Sequence, residues 1–151
     1  MSIKARSIIE IVGGPKEHVD NAMNIVMTKL REHKEIKILT EQVFEAQPLQ
    51  GKKPLFSTFC EVELETKTVD DLFGFCFDFM PSSVEIYDPI DMVLKVDTVN
   101  DMFNELITKL HQYDLTLKNV YAQNILLKRK LGIEDKPGEM PKEKKTEEKK
   151  K

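Results

Sequence analysis

The side chains best suited to chemistry in this sequence are three histidines, two cysteines and a short run of glutamates. His18, His33 and His111 do not lie at metal-ligand spacing from one another or from a cysteine, so each is expected at the surface. The sequence has no nucleophile elbow, no phosphate-binding loop and no zinc pattern. It therefore predicts no catalytic residue, no metal site and no cofactor, and it argues against an enzyme.

The two cysteines, Cys60 and Cys76, are far apart in the sequence and form no Cys-x-x-Cys motif. This usage is typical of proteins of a reduced intracellular compartment. Free cysteine is among the most buried residue types, so both are expected to be small apolar side chains of the core.

Three glutamates, Glu61, Glu63 and Glu65, alternate with apolar residues and would share one face of a strand. Carboxylates grouped in this way could bind a cation. On an exposed face, however, acidic side chains more often serve only solubility. Phe59 falls on the same face and interrupts its polar character.

The best candidate for a small-molecule site is the Gly13-Gly14-Pro15 turn, where a strand pattern runs into a helix pattern. The free backbone N–H groups and the positive dipole end of a helix start could hold a carboxylate or a phosphate. The alternative is a tight strand-to-helix turn in which glycine is needed for a positive φ. Gly13, Gly14 and Pro15 are therefore the candidate ligand-binding residues.

Hydrophobic spacing predicts six elements in residues 1–96 that would position these groups. They are a strand at 5–12, a helix to about residue 34, strands at 36–44 and 56–65, a helix at 68–80 and a strand at 83–87. This β-α-β-β-α-β order is that of a ferredoxin-like α+β sandwich, with a four-stranded antiparallel sheet and two helices on one face. Residues 90–96 are expected to be extended, with apolar members packed beside the sheet.

The second of these helices has two apolar stripes. The stripe expected to face the core consists of Val69, Leu72, Phe73, Cys76, Phe77 and Met80. The other stripe, Phe75 and Phe79, would then be exposed. An exposed aromatic patch usually marks a contact surface, so Phe75 and Phe79 are a candidate interaction patch.

Residues 97–132 predict one long amphipathic helix with a coiled-coil seam, ended by Gly132. The seam residues recur at alternating steps of four and three over more than four heptads. They are Val99, Phe103, Leu106, Leu110, Tyr113, Leu117, Val120, Asn124, Leu127 and Leu131. At about 1.5 Å per residue the helix is about 50 Å long, which exceeds the roughly 30 Å width of the preceding domain.

Asn124 is a polar residue at an a position of this heptad pattern. A buried amide there lowers stability but selects a parallel two-stranded register, because the facing amides can hydrogen-bond to each other. The pattern therefore favours a homodimer formed through the C-terminal helix. A helix of another protein, or the chain's own domain, would be the alternative cover for the seam.

The net charge of −3 argues against nucleic acid or an anionic lipid as the main partner. The third strand is also acidic and lacks the basic-Gly-aromatic motif of RNA-recognition domains. The basic run Lys128–Lys130 and the lysines of residues 133–151, a predicted disordered tail, leave weak nucleic-acid binding as a minor alternative. No apolar stretch approaches the length of a membrane span and no signal core is present, so a cytoplasmic protein is expected.

The strand and helix order, with Ile8-Ile9-Glu10-Ile11-Val12-Gly13-Gly14-Pro15 at its head, resembles the ACT-like branch of ferredoxin-like domains over roughly residues 5–90. This resemblance implies that the first strand-to-helix loop binds amino acids and that domains pair side by side. The lysine-rich tail and Phe-Asp-Phe-Met-Pro-Ser-Ser-Val-Glu-Ile at 77–86 are similar to those of small conserved archaeal proteins without an assigned function.

Taken together, these features predict a non-catalytic dimeric interaction or scaffold protein that pairs through its C-terminal helix. The alternative is an ACT-like sensor that binds a small anionic metabolite at the Gly13-Gly14 turn. The first hypothesis places the functional surface on the C-terminal helix, and the second places it at the Gly13-Gly14 turn.

Overall fold

The computed structural model describes residues 2–51 and 54–133. The chain divides into two compact units between Met102 and Phe103, and each unit is described by itself. Of the predicted charged tail at 133–151, only Ile133 lies within the described residues.

The fold is α+β, as predicted, with five strands and three helices in the described residues. In chain order the elements are β1 (Ile3–Gly13), α1 (Lys16–Glu32), β2 (Ile36–Val43), β3 (Gln47–Pro48), β4 (Phe56–Thr66), α2 (Val69–Phe79), β5 (Ser83–Asp88) and α3 (Val96–Lys130). The two-residue β3 has no counterpart among the predicted elements. The other borders agree with the predicted ones to within a few residues.

The strands form one antiparallel sheet in the order β2-β4-β1-β5, and β3 pairs with the start of β4. The central strands β1 and β4 pair along their whole length, from Ile3 opposite Thr66 to Gly13 opposite Phe56. In β2 the register shifts between Ile38 and Thr40. This bulge adds one residue to the edge strand and changes which side of the sheet the following side chains face.

One face of the sheet packs against α1 and α2 and forms the hydrophobic core. β4 shows the predicted alternation, since Cys60 and Val62 are buried whereas Phe59 and Glu61 are exposed. The buried members of the core are Ile3, Ala5, Ile9, Met23, Met27, Leu30, Ile36, Cys60, Val62, Leu64, Leu72 and Phe75. Burial of this apolar surface is the main source of stability for the unit.

Thr68 and Asp71 have the spacing of a capping box, and helix α2 begins with one. The Thr68 side chain accepts a hydrogen bond from the Asp71 amide at 3.1 Å, and the Asp71 carboxylate accepts one from the Thr68 amide at 3.0 Å. Two amides at the helix start are thereby satisfied. At its other end, Met80 adopts a left-handed conformation with φ 45° and closes the helix.

The prediction that Phe75 and Phe79 form an exposed patch is wrong. Phe75 is fully buried, and Phe79 is half-buried against the core and stacks on Phe75 at 5.4 Å between ring centroids. The helix is therefore rotated relative to the predicted orientation, and Met80, expected inside, is exposed. The apolar residues of α2 span about 200° of the helix at roughly 100° per residue, wider than the stripe of about 100° that a core-facing helix needs, so their spacing alone does not determine which part faces the sheet.

The predicted long helix is confirmed as α3, which begins at Val96 and ends at Lys130. After it, the Leu131 amide still donates to the Leu127 carbonyl at 3.0 Å, and Gly132 has φ +67°. The left-handed glycine is the helix-ending signal that the sequence predicts. None of the residues of α3, all of which the structure describes, is buried.

Candidate protein-interaction surface

The seam of α3 is an exposed apolar stripe. Its exposed members are Phe103, Leu110, Tyr113, Leu117, Val120, Leu127 and Leu131, and Asn124 among them is exposed as well. Val99 and Leu106 are half-buried. A contiguous apolar stripe of this extent usually marks a protein contact.

The stripe starts earlier than the sequence predicts. Val96 is the first residue of α3, is exposed and lies seven residues before Phe103, so it occupies the same heptad position. The heptad pattern therefore begins at Val96, the first residue of the helix.

Leucines of similar exposure occur on and off the seam of α3. Leu117, on the seam, is 68 % exposed, and Leu115 is 62 % exposed. Two residues turn an α-helix by about 200°, so Leu115 faces the side opposite to Leu117. The two leucines differ in position on the helix rather than in local burial.

Charged residues of α3 have local partners that fit a solvated helix. Lys118 donates to the Asp114 carboxylate at 2.6 Å, an i,i+4 ion pair on the helix surface. The basic residues Lys128, Arg129 and Lys130 lie in the last turn. Cations there interact favourably with the negative end of the helix dipole, which gives this run a structural role.

A second exposed apolar feature is the strap, which we define as residues 89–95 between β5 and α3. Ile90 is 96 % exposed and Val93 is 95 % exposed, whereas Met92 packs against the core. The prediction that the apolar residues of this segment pack beside the sheet is therefore right for Met92 and wrong for Ile90 and Val93. Neighbouring side chains of an irregular segment point in different directions, and no sequence period shows which of them reaches the core.

The Gly13-Gly14-Pro15 turn lies between β1 and α1, as predicted. A Cβ atom on Gly14 would come within 3.0 Å of the Pro54 carbonyl oxygen, and neither glycine has a positive φ. The expected need for a positive φ is therefore wrong, and the close approach of the chain at Pro54 explains Gly14 instead. Pro15 provides no side-chain cap for α1, and binding of an anion at this helix start stays a prediction.

His18 lies in α1, His33 directly follows that helix, and His111 lies in α3. His18 and His111 are exposed, whereas His33 is half-buried with its ring 6.1 Å from that of Phe79. The described residues contain no group of three or more histidine, cysteine, aspartate or glutamate side chains placed to hold a metal ion. Within the same residues, no helix has the length and apolar character needed to cross a membrane.

The two cysteines are free thiols in or beside the core. Cys60 is buried and Cys76 is half-buried. Burial raises the pKa of both thiols, because a low-dielectric environment disfavours the thiolate. Both are therefore poor nucleophiles near neutral pH.

The second face of the sheet, which we call the open face, lies opposite α1 and α2 and carries the three glutamates. Glu63 pairs with Arg6 at 3.1 Å and Glu65 with Lys37 at 3.1 Å. Hydrogen bonds from Ser2 and then Lys37 lower the pKa of Glu65. Glu61 has no ion-pair partner among the described residues, so the three glutamates are not equivalent.

Comparison with known proteins gives the chain a family. The chain belongs to the MJ0538 family, whose model matches residues 4–135. The match spans all eight elements and agrees with the resemblance to small archaeal proteins. No curated protein and no solved structure matches the chain.

Proposed function

We propose that this member of the MJ0538 family is a non-catalytic, dimeric interaction protein that pairs through a parallel two-stranded coiled coil of α3. The exposed apolar seam of α3 is the observation that carries the proposal. Complete burial of one leucine or phenylalanine side chain contributes about 1.5–3 kcal/mol. Several such residues per chain would offset the loss of translational and rotational freedom on association, which costs about 4–15 kcal/mol.

The position of Asn124 supports a second copy of the chain as the partner. In a parallel pair, the a position of one helix faces the same a position of the other, so the two Asn124 amides meet. An antiparallel pair or an unrelated helix would have to supply another hydrogen-bond partner for this amide. The single Asn124 thus selects register and orientation at some cost in stability.

The strap extends the same argument to the start of α3. Parallel pairing brings the first turns of two α3 helices together, and the two straps precede them directly in the chain. Ile90 and Val93 would then lie close to the dimer axis, and their near-complete exposure in a single chain would be relieved.

The experiment that tests the proposal is light scattering of the intact chain beside two matched variants. We expect a dimer for the intact chain, a shift to monomer for Leu117→Asp, and a dimer for Leu115→Asp. Both substitutions place a charge at a leucine of similar exposure, but only Leu117 lies on the seam. A monomeric intact chain, or equal loss of the dimer in both variants, contradicts the proposal.

We further propose that residues 3–88 form a ferredoxin-like domain of the ACT-like branch. The strand order β2-β4-β1-β5 with antiparallel neighbours supports a ferredoxin-like unit of the ACT-like branch. We place the protein in the cytoplasm, because its two cysteines are free thiols, which is typical of a reduced compartment.

A second candidate function is recognition of a small anionic metabolite at the start of α1. The observation in its favour is that Pro15 leaves the first turn without a side-chain cap. A thermal-shift screen with amino acids and inorganic phosphate tests it, with Gly14→Ala as the site variant. A flat response of the intact chain across the panel contradicts this function and leaves the coiled-coil proposal unaffected.

A further inference from the structure

The open face of the sheet is unequally balanced in charge. Register places six carboxylates and three cations on it, and those residues are Glu10, Glu61, Glu63, Glu65, Glu85 and Asp88 with Lys4, Arg6 and Lys37. The cations are all engaged at one end of the strands, because Lys4 pairs with Asp88 at 2.8 Å, Arg6 with Glu63 and Lys37 with Glu65. The excess negative charge therefore lies elsewhere on the face.

Two aromatic rings, Phe59 exposed and Phe44 half-buried, mark the other end of the open face. Phe44 and Phe59 stack with their ring centroids 4.4 Å apart and an angle of 19° between planes, and Phe59 is 36 % exposed. The stack depends on the bulge in β2, since the shifted register brings Phe44 beside Phe59 of β4. Neither ring belongs to the core that α1 and α2 cover.

Carboxylates flank this aromatic pair. Glu10 lies directly opposite Phe59 in β1, and Glu61 follows Phe59 two residues along β4 on the same face. Glu10 accepts a hydrogen bond from the neutral Ser57 hydroxyl at 2.7 Å, and Glu61 has no cationic partner among the described residues. A shallow depression of about 180 Å³ lies beside Glu61, and its lining includes Thr40, Gln42 and the Arg6–Glu63 ion pair.

We propose that the Phe44–Phe59 pair, with Glu10 and Glu61, docks a lysine- or arginine-bearing segment of a partner protein. An aromatic ring attracts a cation held over its face, and adjacent carboxylates add a charge-assisted hydrogen bond. The excess negative charge of the face selects a basic partner and disfavours a second copy of the same face. This surface is distinct from the seam of α3, so it adds a partner to the dimer rather than forming it.

The test is fluorescence anisotropy of labelled hexalysine titrated with the full chain at low salt. We expect saturable binding that weakens about threefold in Glu61→Gln and about three- to fivefold in Phe59→Leu, in line with the modest strength of exposed ion pairs and cation–π contacts. Binding should also weaken as salt is added. Thermal melts of each variant verify that the fold is retained.

Glu65→Gln is the matched control, since Glu65 lies on the same strand and face as Glu61 but already pairs with Lys37. Both substitutions change net charge by the same amount, so equal weakening would mean non-specific attraction and would overturn the proposal. Absence of saturable binding, or equally tight binding of hexaglutamate, would overturn it too. In an isotope-labelled chain, hexalysine should shift the backbone amides of Phe44, Phe59 and Glu61; shifts confined to other regions contradict the assignment.

Discussion

The sheet unit and the long helix use apolar residues in opposite ways. In the sheet unit, Phe75, Met27 and Leu64 are fully buried and their periodicity is satisfied within one chain. In α3 the periodicity is just as regular, yet not one of its residues is buried. A regular apolar pattern thus predicts an element and its preferred face, but not whether that face is covered by the same molecule.

The strongest test of this contrast is a chain that ends at Met102. We expect it to unfold cooperatively and to have the mass of one copy at every concentration, whereas the intact chain is a dimer. Circular dichroism melts and light scattering measure both properties. A truncated chain that is still dimeric would place the main interface in the sheet unit and contradict the coiled-coil proposal.

A pair of substitutions compares the two regions directly. Phe75→Ala should lower the free energy of unfolding by about 3–5 kcal/mol, because it empties a fully buried site. Leu117→Ala should have an effect that depends on protein concentration, since its partner is another copy. Urea unfolding at two protein concentrations separates them, and a concentration-independent loss in Leu117→Ala would show that the seam is covered within one chain.

A smaller effect is expected at the start of α2. Thr68→Ala removes the hydroxyl that accepts the Asp71 amide and should lower the free energy of unfolding by about 1 kcal/mol. Thr68→Ser keeps the acceptor oxygen and serves as the control. An equal loss of unfolding free energy in the two variants, measured in urea, would show that the capping hydrogen bond does not cause the destabilisation.

The smallest effect concerns the thiols. Burial raises the pKa of Cys60 above its ordinary value of 9.0, so its contribution to stability is present below that pH and is lost as pH rises through the folded-state pKa. The urea midpoint of the intact chain should therefore exceed that of Cys60→Ala by less at pH 10 than at pH 7. Labelling of the native chain by a thiol reagent should be slow at pH 7; fast labelling of Cys60 would contradict its burial.

Much of the fold could be predicted from local patterns. β4 is buried on one side, so its period of two is unambiguous, and the Thr68-Asp71 spacing predicts a cap that the structure contains. α3 could be predicted equally well, because an unbroken heptad pattern of this length leaves few alternatives to a helix.

The rest depends on contacts between distant parts of the chain. The orientation of α2 is decided by packing of Phe75 against the sheet, and a helix whose apolar arc is wider than its contact does not encode that choice locally. The role of Gly14 comes from Pro54, about forty residues away. The exposure of Ile90 and Val93 likewise has no counterpart in their spacing.

The bulge in β2 has a consequence for how this chain tolerates changes of length. Before it, Ile36 and Ile38 lie on the helix side; after it, Glu41 lies there and bonds Arg31, while Phe44 joins the open face. Deletion of Leu39, the extra residue, would remove the bulge but keep Glu41 on the helix side and Phe44 on the open face. Insertion of one more residue beside Leu39, with no second bulge, would instead exchange the two sides for the rest of the strand and force Thr40 and Gln42 towards the core. One residue of chain length at this edge therefore determines which surface the protein offers to its surroundings.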